Sequence, residues 1–134
     1  MKKADLPKFM ASPIRAGFPN PAEEASGQAM DLNELLVRHP ISTYYLRVEG
    51  DSMEGAGITE GDIVVVDKSL EARTGDVVVA AVDGEFTLKT LKKSGSKAWL
   101  VPANPAYQPI ELGQDREASV WGVVTHTIHT HRRR

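Results

Sequence analysis

A β-hairpin between residues 77 and 91 is the feature that most limits how this chain can fold. Its sequence, VVVAAV-DG-EFTLKTL, joins two runs rich in apolar and β-branched residues through Asp83-Gly84. Asp-Gly is a favoured two-residue hairpin turn because both positions tolerate positive φ angles. Since the turn fixes the pairing register, Lys89 is predicted to lie opposite Val78.

Other short segments have the same β-rich character, and Gly, Asp, Asn and Pro residues separate them. These segments are TYYLRV, DIVVVD, AWLVP and SVWGVVTHTI. Short strands at this spacing, with little helix between them, are typical of small all-β domains. The pattern predicts a mostly β fold that is compact, partly barrel-like and mainly antiparallel.

The first 30 residues differ from the rest of the chain. Prolines at positions 7, 13, 19 and 21 predict that no regular element forms there. We interpret residues 1–30 as an extended, mobile arm and residues 31–134 as one β domain. The domain is predicted to begin with a short helix near Asp31–Arg38, in which Asp31 is the N-cap and Glu34 completes a capping box.

Composition removes several classes of function. The 134 residues include no cysteine, which excludes disulfides and thiolate catalysis. The net charge of −2 gives no electrostatic case for strong direct binding to nucleic acid or to an anionic membrane. The basic N-terminus lacks the apolar run of a secretory signal, and no stretch reaches the roughly 18 apolar residues of a membrane span. We therefore expect a cytoplasmic protein that does not bind membranes.

The remaining conspicuous side chains have structural interpretations. His129 and His131 alternate as ligands on one strand would, but no Asp, Glu or Cys follows them, so neither a metal nor another cofactor is predicted. We interpret Trp99, Trp121 and Tyr107 as core or dimer-interface residues rather than as platforms for stacking nucleic-acid bases.

Lys89 is the least expected side chain in the hairpin. The facing strand, residues 77–82, is apolar at every position, so the Lys89 ammonium lies on or beside an apolar surface. Burial lowers the pKa of a lysine by up to roughly 3–5 units, and a lysine near neutrality can take a proton from a serine hydroxyl. The alternative is that Lys89 extends to water while its stem covers apolar surface.

Ser52 is the candidate nucleophile. It lies in the glycine-rich, acidic segment GDSMEGAG, just before an apolar run. No histidine is near it in the sequence, so a base must come from elsewhere in the chain. A serine such as Ser52, taken alone, is more often an ordinary turn residue than a nucleophile, and the preceding Asp51 is interpreted as a turn or cap residue.

Together these segments resemble the self-cleaving Ser-Lys peptidases of the LexA and UmuD family. The matching stretches occur in the family's order, and they are GDSM, GDIVVVD, GDVVVAAVDGEFTLKTL, VPANPAYQPI and VWGVVTH. The repressors of this family carry an N-terminal helix-turn-helix domain, for which about 30 residues are too few. The arm sequence RAGFPNPAEE resembles the cleavable arm of UmuD-like members instead.

The resemblance implies a set of roles for particular residues. Ser52 would be the nucleophile, Lys89 the general base, and the bond between Ala16 and Gly17 the one that is cut. Backbone N–H groups near Ser52 would stabilise the oxyanion. An extended arm spans up to roughly 3.3–3.6 Å per residue, so attack within one chain and attack across a dimer both remain open.

The resemblance also implies partners. RecA filaments on single-stranded DNA would promote the cut, and the trimmed homodimer would serve a UmuC-like, error-prone Y-family polymerase in the SOS response. Three alternatives are open to the same pattern. One is a non-catalytic dimeric interaction module that regulates a polymerase, and another is a signal-peptidase-like enzyme that acts on other proteins. The third is a fragment of a transcriptional repressor, against which the negative net charge and the lack of a helix-turn-helix weigh.

Overall fold

The protein forms two compact units, Met1–Arg38 and His39–Arg134, in its computed structural model. The structure describes residues 2, 5–10, 13–18, 27–51, 53–113 and 117–132. The candidate nucleophile Ser52 lies outside these described residues. The interpretation of residues 1–30 as a mobile arm stays a prediction.

The first unit contains a small β-ribbon that the sequence did not indicate. Strand β1, Lys8–Met10, pairs in antiparallel fashion with strand β2, Gly27–Ala29. The prediction that prolines exclude regular structure from the first 30 residues is therefore wrong for these two segments. Proline removes an N–H donor but keeps its carbonyl, and the Pro7 oxygen accepts the Met30 N–H at 2.9 Å.

The helix of the first unit is short. Helix α1 spans Leu32–Leu36, and the Asp31 carboxylate accepts the backbone N–H of Asn33 at 2.9 Å. The predicted N-cap is therefore confirmed, but the helix ends earlier than expected because Val37 adopts an extended backbone with φ of −115°. In the part of the chain that the structure describes, no helix is both long and apolar enough to cross a membrane.

The second unit is built on one seven-stranded sheet. Its strands are β3 Thr43–Arg47, β4 Ile63–Asp67, β5 Val77–Val82, β6 Glu85–Ser94, β7 Lys97–Val101, β8 Ile110–Glu111 and β9 Ala118–Ile128. They pair in the order β3-β4-β9-β5-β6-β7-β8, and every pairing is antiparallel. The predicted mainly antiparallel β fold is confirmed. Across the described strands the sheet is open, because β3 and β8 form its two edges rather than closing a barrel.

The β5–β6 hairpin forms with the predicted turn and register. Asp83 and Gly84 have φ angles of 49° and 82°, so both central residues take the left-handed conformation that this turn requires. Val78 pairs with Lys89 across the hairpin, as the position of the turn predicts.

The position of β5 explains why it is apolar throughout. It lies between β9 and β6, and its side chains alternate between two hydrophobic clusters. Val79 packs in one cluster with Met53, whereas Val78 packs in the other with Leu91 and Leu100. A strand with a core on both faces has no position for an exposed polar residue, so a charge on its neighbour β6 is placed beside apolar surface.

Candidate active site

Lys89 is buried on β6. Its residue is 7% exposed, and its strand neighbour on the same side, Leu91, is 1% exposed. Burial penalises the ammonium relative to the neutral amine, and this desolvation holds the pKa of Lys89 below its ordinary value of 10.5. The alternative in which Lys89 extends into water does not fit this degree of burial.

The Lys89 amine has two neutral hydrogen-bond acceptors. Its Nζ donates to Thr87 Oγ1 at 2.5 Å and to the Leu88 carbonyl oxygen at 3.0 Å. A neutral amine has two N–H bonds and one lone pair, so it can keep both hydrogen bonds and still accept a proton. The arrangement therefore suits a base better than it suits a permanent ammonium, which would favour a carboxylate partner.

Thr87 is a site residue whose role the sequence did not reveal. It precedes Lys89 by two positions, and strand alternation puts both side chains on the same side of β6. This spacing could have identified Thr87 as a neighbour of the amine. It could not have identified the hydrogen bond, because that depends on where the flexible lysine side chain ends.

An open groove of about 300 Å³ lies beside this hairpin. Its lining is mostly apolar and comes from β3, β4, β5, β6 and the loop after β3, including Leu46, Met53, Val79, Phe86 and Leu88. Thr87, the acceptor for the Lys89 amine, also lines it, as does Gly50, two residues before Ser52. The groove thus runs between the hairpin and the loop that contains Gly50 and Met53, the residues on either side of the Ser52 position.

The loop around position 52 is anchored in the core on one side. Met53 is 2% exposed, and its carbonyl oxygen accepts the N–H groups of Ala56 and Ile58. A 3₁₀ turn, Glu54–Ala56, follows directly. The loop is therefore held by a buried side chain immediately after the candidate nucleophile.

A second segment, the turn between β7 and β8, contacts the same loop. The Tyr107 hydroxyl donates to Asp51 Oδ1 at 3.0 Å, and Asn104 Nδ2 lies 3.4 Å from the Asp51 carbonyl oxygen. Tyr107 is 49% exposed, so it is not a core residue, and its alternative place at a dimer interface stays a prediction. The partner of Asp51 comes from a distant segment, which the interpretation of Asp51 as a local turn or cap residue did not foresee.

The predicted scissile residues belong to the first unit. Ala16 and Gly17 are both exposed, and a Cβ atom built on Gly17 would meet no atom within 4 Å. Their neighbours Ile14 and Phe18 are 95% and 86% exposed. The bond between Ala16 and Gly17 is thus sterically accessible to an attacking group.

A cluster of Ser69, His39 and Asp67 has the composition of a catalytic triad but not its geometry. His39 Nδ1 lies 2.6 Å from Asp67 Oδ2 and 3.2 Å from Ser69 Oγ, so the aspartate and the serine share one ring nitrogen. A triad needs the serine on the opposite nitrogen, which takes its proton. Ser69 also donates to Asp67 directly, at 2.6 Å. The cluster satisfies a buried carboxylate and leaves no activated serine.

Comparison with known proteins places this antiparallel β domain in a peptidase family. Residues 8–125 match the family described as Peptidase S24-like. This match covers most of the chain, and the chain belongs to that family.

Individual relatives narrow the assignment. The chain is 44% identical to Protein MucA of Salmonella typhimurium over 124 residues, which cover 92% of this chain and 84% of MucA. It is 38% identical to Protein ImpA of the same organism over 127 residues, covering 90% and 82%. It is 45% identical to the LexA repressor of Alcanivorax borkumensis over 103 residues, which cover 77% of this chain but 50% of the repressor. The predicted place as a UmuD-like member of the LexA and UmuD family is confirmed.

Proposed function

We propose that this protein is a serine endopeptidase that cuts its own N-terminal arm between Ala16 and Gly17. Ser52 Oγ attacks the Ala16 carbonyl carbon while the neutral Lys89 amine takes the hydroxyl proton. The tetrahedral intermediate collapses with loss of the Gly17 amine, which receives that proton from Lys89. Water then hydrolyses the ester between Ser52 and Ala16, again with Lys89 as the base.

The observation that carries the proposal is the environment of Lys89. A lysine in water is almost fully protonated at neutral pH and cannot act as a base. Burial lowers the pKa of the Lys89 amine, and its two neutral acceptors leave the lone pair free once the proton is lost. Membership of the Peptidase S24-like family supports the same chemistry.

The cellular role is proposed from the relatives. Similarity to MucA and ImpA over more than four-fifths of each chain supports a place in the SOS response and SOS mutagenesis. We propose that RecA filaments on single-stranded DNA stimulate the cut in the cytoplasm. The trimmed homodimer then acts as the accessory subunit of a UmuC-like, Y-family polymerase in translesion synthesis. A partner that stabilises the docked arm would raise the reactive fraction without adding any catalytic group.

Self-cleavage of the purified protein tests the proposal directly. Wild type, Ser52→Ala and Lys89→Ala are incubated without RecA from pH 7 to pH 10, and the products are weighed by intact mass spectrometry. Wild type should release a fragment that begins at Gly17, and both variants should slow the cut by at least about a hundredfold. Lys92→Ala is the matched control, because Lys92 is an exposed lysine on the same strand.

The pH dependence has a definite sign. Because the pKa of Lys89 is lowered, its neutral fraction increases as pH rises toward that pKa and is complete above it. The wild-type rate should therefore rise with pH and then level off. A flat rate from pH 7 to 10 with an intact fold, or cleavage that survives in Lys89→Ala, would exclude Lys89 as the base. Absence of any Gly17 fragment, with or without RecA filaments, would favour the non-catalytic module.

A further inference from the structure

The geometry points to a second support for the candidate nucleophile. We propose that the turn Asn104–Tyr107 positions the loop around Ser52, and that Tyr107 is a positioning residue that acts through Asp51. The inference rests on the proposed self-cleavage. It adds a structural device, between β7 and β8, that the dyad chemistry alone does not require.

The sequence NPAY builds a rigid turn. The Asn104 carbonyl oxygen accepts the Tyr107 N–H at 3.1 Å, which closes a four-residue β-turn. Asn104 Oδ1 also accepts the Ala106 N–H at 2.9 Å, and Pro105 fixes φ at the second position of the turn. These hydrogen bonds fix the backbone of the turn, and with it the position from which the Tyr107 side chain extends.

The turn contacts the loop on both sides of position 52. Before it, Asp51 accepts the Tyr107 hydroxyl at 3.0 Å through its carboxylate. After it, Gly55 packs against the Ala103 carbonyl oxygen, which would lie only 2.7 Å from a Cβ atom at position 55. Any side chain at Gly55 would force these two backbones apart. The segment from Ala103 to Tyr107 thus fixes the loop at two points that flank Ser52.

These contacts matter because the two sides of position 52 are held in different ways. Met53 anchors one side in the core, whereas Asp51 is exposed and is held by the Tyr107 hydroxyl and the Asn104 amide. Displacement of a reacting atom by about 1 Å can reduce a rate by up to roughly a hundredfold. The Tyr107 hydroxyl takes no part in the reaction, but by holding Asp51 it can determine the fraction of molecules in which Ser52 is correctly placed for attack.

The exposure of Tyr107 allows a clean test. Because the ring is half-exposed, Tyr107→Phe removes one hydroxyl without opening a cavity in the core. Tyr44→Phe is the matched control, since Tyr44 is similarly exposed and its ring contacts Trp121, a contact that phenylalanine keeps. Tyr107→Phe should slow RecA-independent cleavage by roughly tenfold, with an unchanged melting temperature and an unchanged pH midpoint. Tyr44→Phe should cleave at the wild-type rate.

Two further measurements separate positioning from a general loss of structure. The single variant Asp51→Ala and the double variant Asp51→Ala with Tyr107→Phe should cleave at the same reduced rate. Once the Asp51 carboxylate is gone, the Tyr107 hydroxyl has lost its acceptor, so its removal has no further effect. In the uncleavable Ser52→Ala background, Tyr107→Phe should speed amide hydrogen exchange in residues 50–57 and leave β5 and β6 unchanged.

The outcomes keep this inference apart from the proposed function. If wild type cleaves and Tyr107→Phe cleaves equally fast, the inference fails and the peptidase stands. Additive slowing in the double variant would also overturn the route through Asp51. If wild type yields no fragment at all, the proposed function fails, and hydrogen exchange alone decides whether the turn holds the loop. Unchanged exchange in residues 50–57 would then overturn the inference.

Discussion

The structure buries charges in two regions and treats them in opposite ways. At the two ends of β4, Asp62 and Asp67 are 3% and 4% exposed, and each is surrounded by donors and paired with a histidine. On β6, Lys89 is 7% exposed, and the acceptors on its amine are two neutral oxygens. The folded protein favours the charged form of both aspartates, whereas it disfavours the charged form of the lysine.

The pKa directions follow from these partners. Burial by itself raises the pKa of Asp67, but hydrogen bonds from Ser69, His39 and Ser42 outweigh it and hold that pKa well below its usual range. For Asp62, the Thr59 N–H lowers the pKa most, burial opposes it, and His129 lowers it further. For Lys89, desolvation by burial lowers the pKa, and the two acceptors on its amine are neutral oxygens rather than a carboxylate. A buried charge whose hydrogen bonds are all made serves the structure, whereas a buried amine with no counter-charge is suited to chemistry.

The largest effect that would break this comparison is expected at Asp67. Asp67→Ala removes the common acceptor of two serines and a histidine, and it should lower the free energy of unfolding at pH 7 by about 2–3 kcal/mol. Because the pKa of Asp67 is depressed on folding, its stabilisation is present above the ordinary value of 3.8 and is lost as pH falls below it. Urea unfolding at pH 7 and at pH 3 measures both effects.

Glu60→Ala is the control for that experiment, because Glu60 is an exposed acid in the turn before β4. It should change stability by no more than about 0.5 kcal/mol. A loss for Asp67→Ala as small as the loss for Glu60→Ala would show that the buried carboxylate is not the structural charge that its contacts indicate.

A smaller effect of opposite sign is expected at Lys89. Lys89→Met fills similar space without an ammonium, and it should raise the free energy of unfolding at pH 7, because burial penalises the charged amine in the folded protein. Between the lowered pKa of Lys89 and 10.5 the unfolded chain binds more protons, so wild type gains stability as pH rises. The advantage of the variant should shrink from pH 7 to pH 10. Destabilisation by Lys89→Met at pH 7 would contradict a penalised ammonium.

The smallest effect concerns Thr87, which accepts a hydrogen bond from the Lys89 amine. Thr87→Val removes that acceptor, and acceptors favour the charged form, so the midpoint of the pH–rate profile should move to lower pH. The rate above the midpoint should fall by about fivefold, because the amine is less well placed. Thr87→Ser should restore both values. An unchanged profile in Thr87→Val would show that the hydrogen bond does not guide the base.

Local chemistry allowed much of the fold to be predicted. The Asp83-Gly84 turn fixes the hairpin register, and that register places Lys89 opposite Val78. Segments rich in β-branched and aromatic residues predicted strands β3, β4, β5, β7 and β9 to within one residue at either end, because such side chains favour extended backbone. The sequence could therefore indicate a buried lysine before any coordinates.

Contacts between distant segments could not be predicted in the same way. The ribbon of Lys8–Met10 with Gly27–Ala29 and the two-residue strand Ile110–Glu111 carry no periodic pattern, since both are too short to have one. The hydrogen bond from Tyr107 to Asp51 joins residues 56 positions apart and depends on how β7 and β8 turn back toward the loop after β3. Only the assembled fold brings these groups together.

Measurement of the Lys89 pKa is the most direct test of the claim that this buried lysine is the base. The uncleavable Ser52→Ala protein is prepared with carbon-13 in its lysine side chains, and the Lys89 signal, assigned by its loss in Lys89→Met, is followed by NMR from pH 5 to pH 12. The account predicts that Lys89 titrates clearly below 10.5, as a desolvated amine should. Titration at 10.5 or above in the folded protein would contradict it.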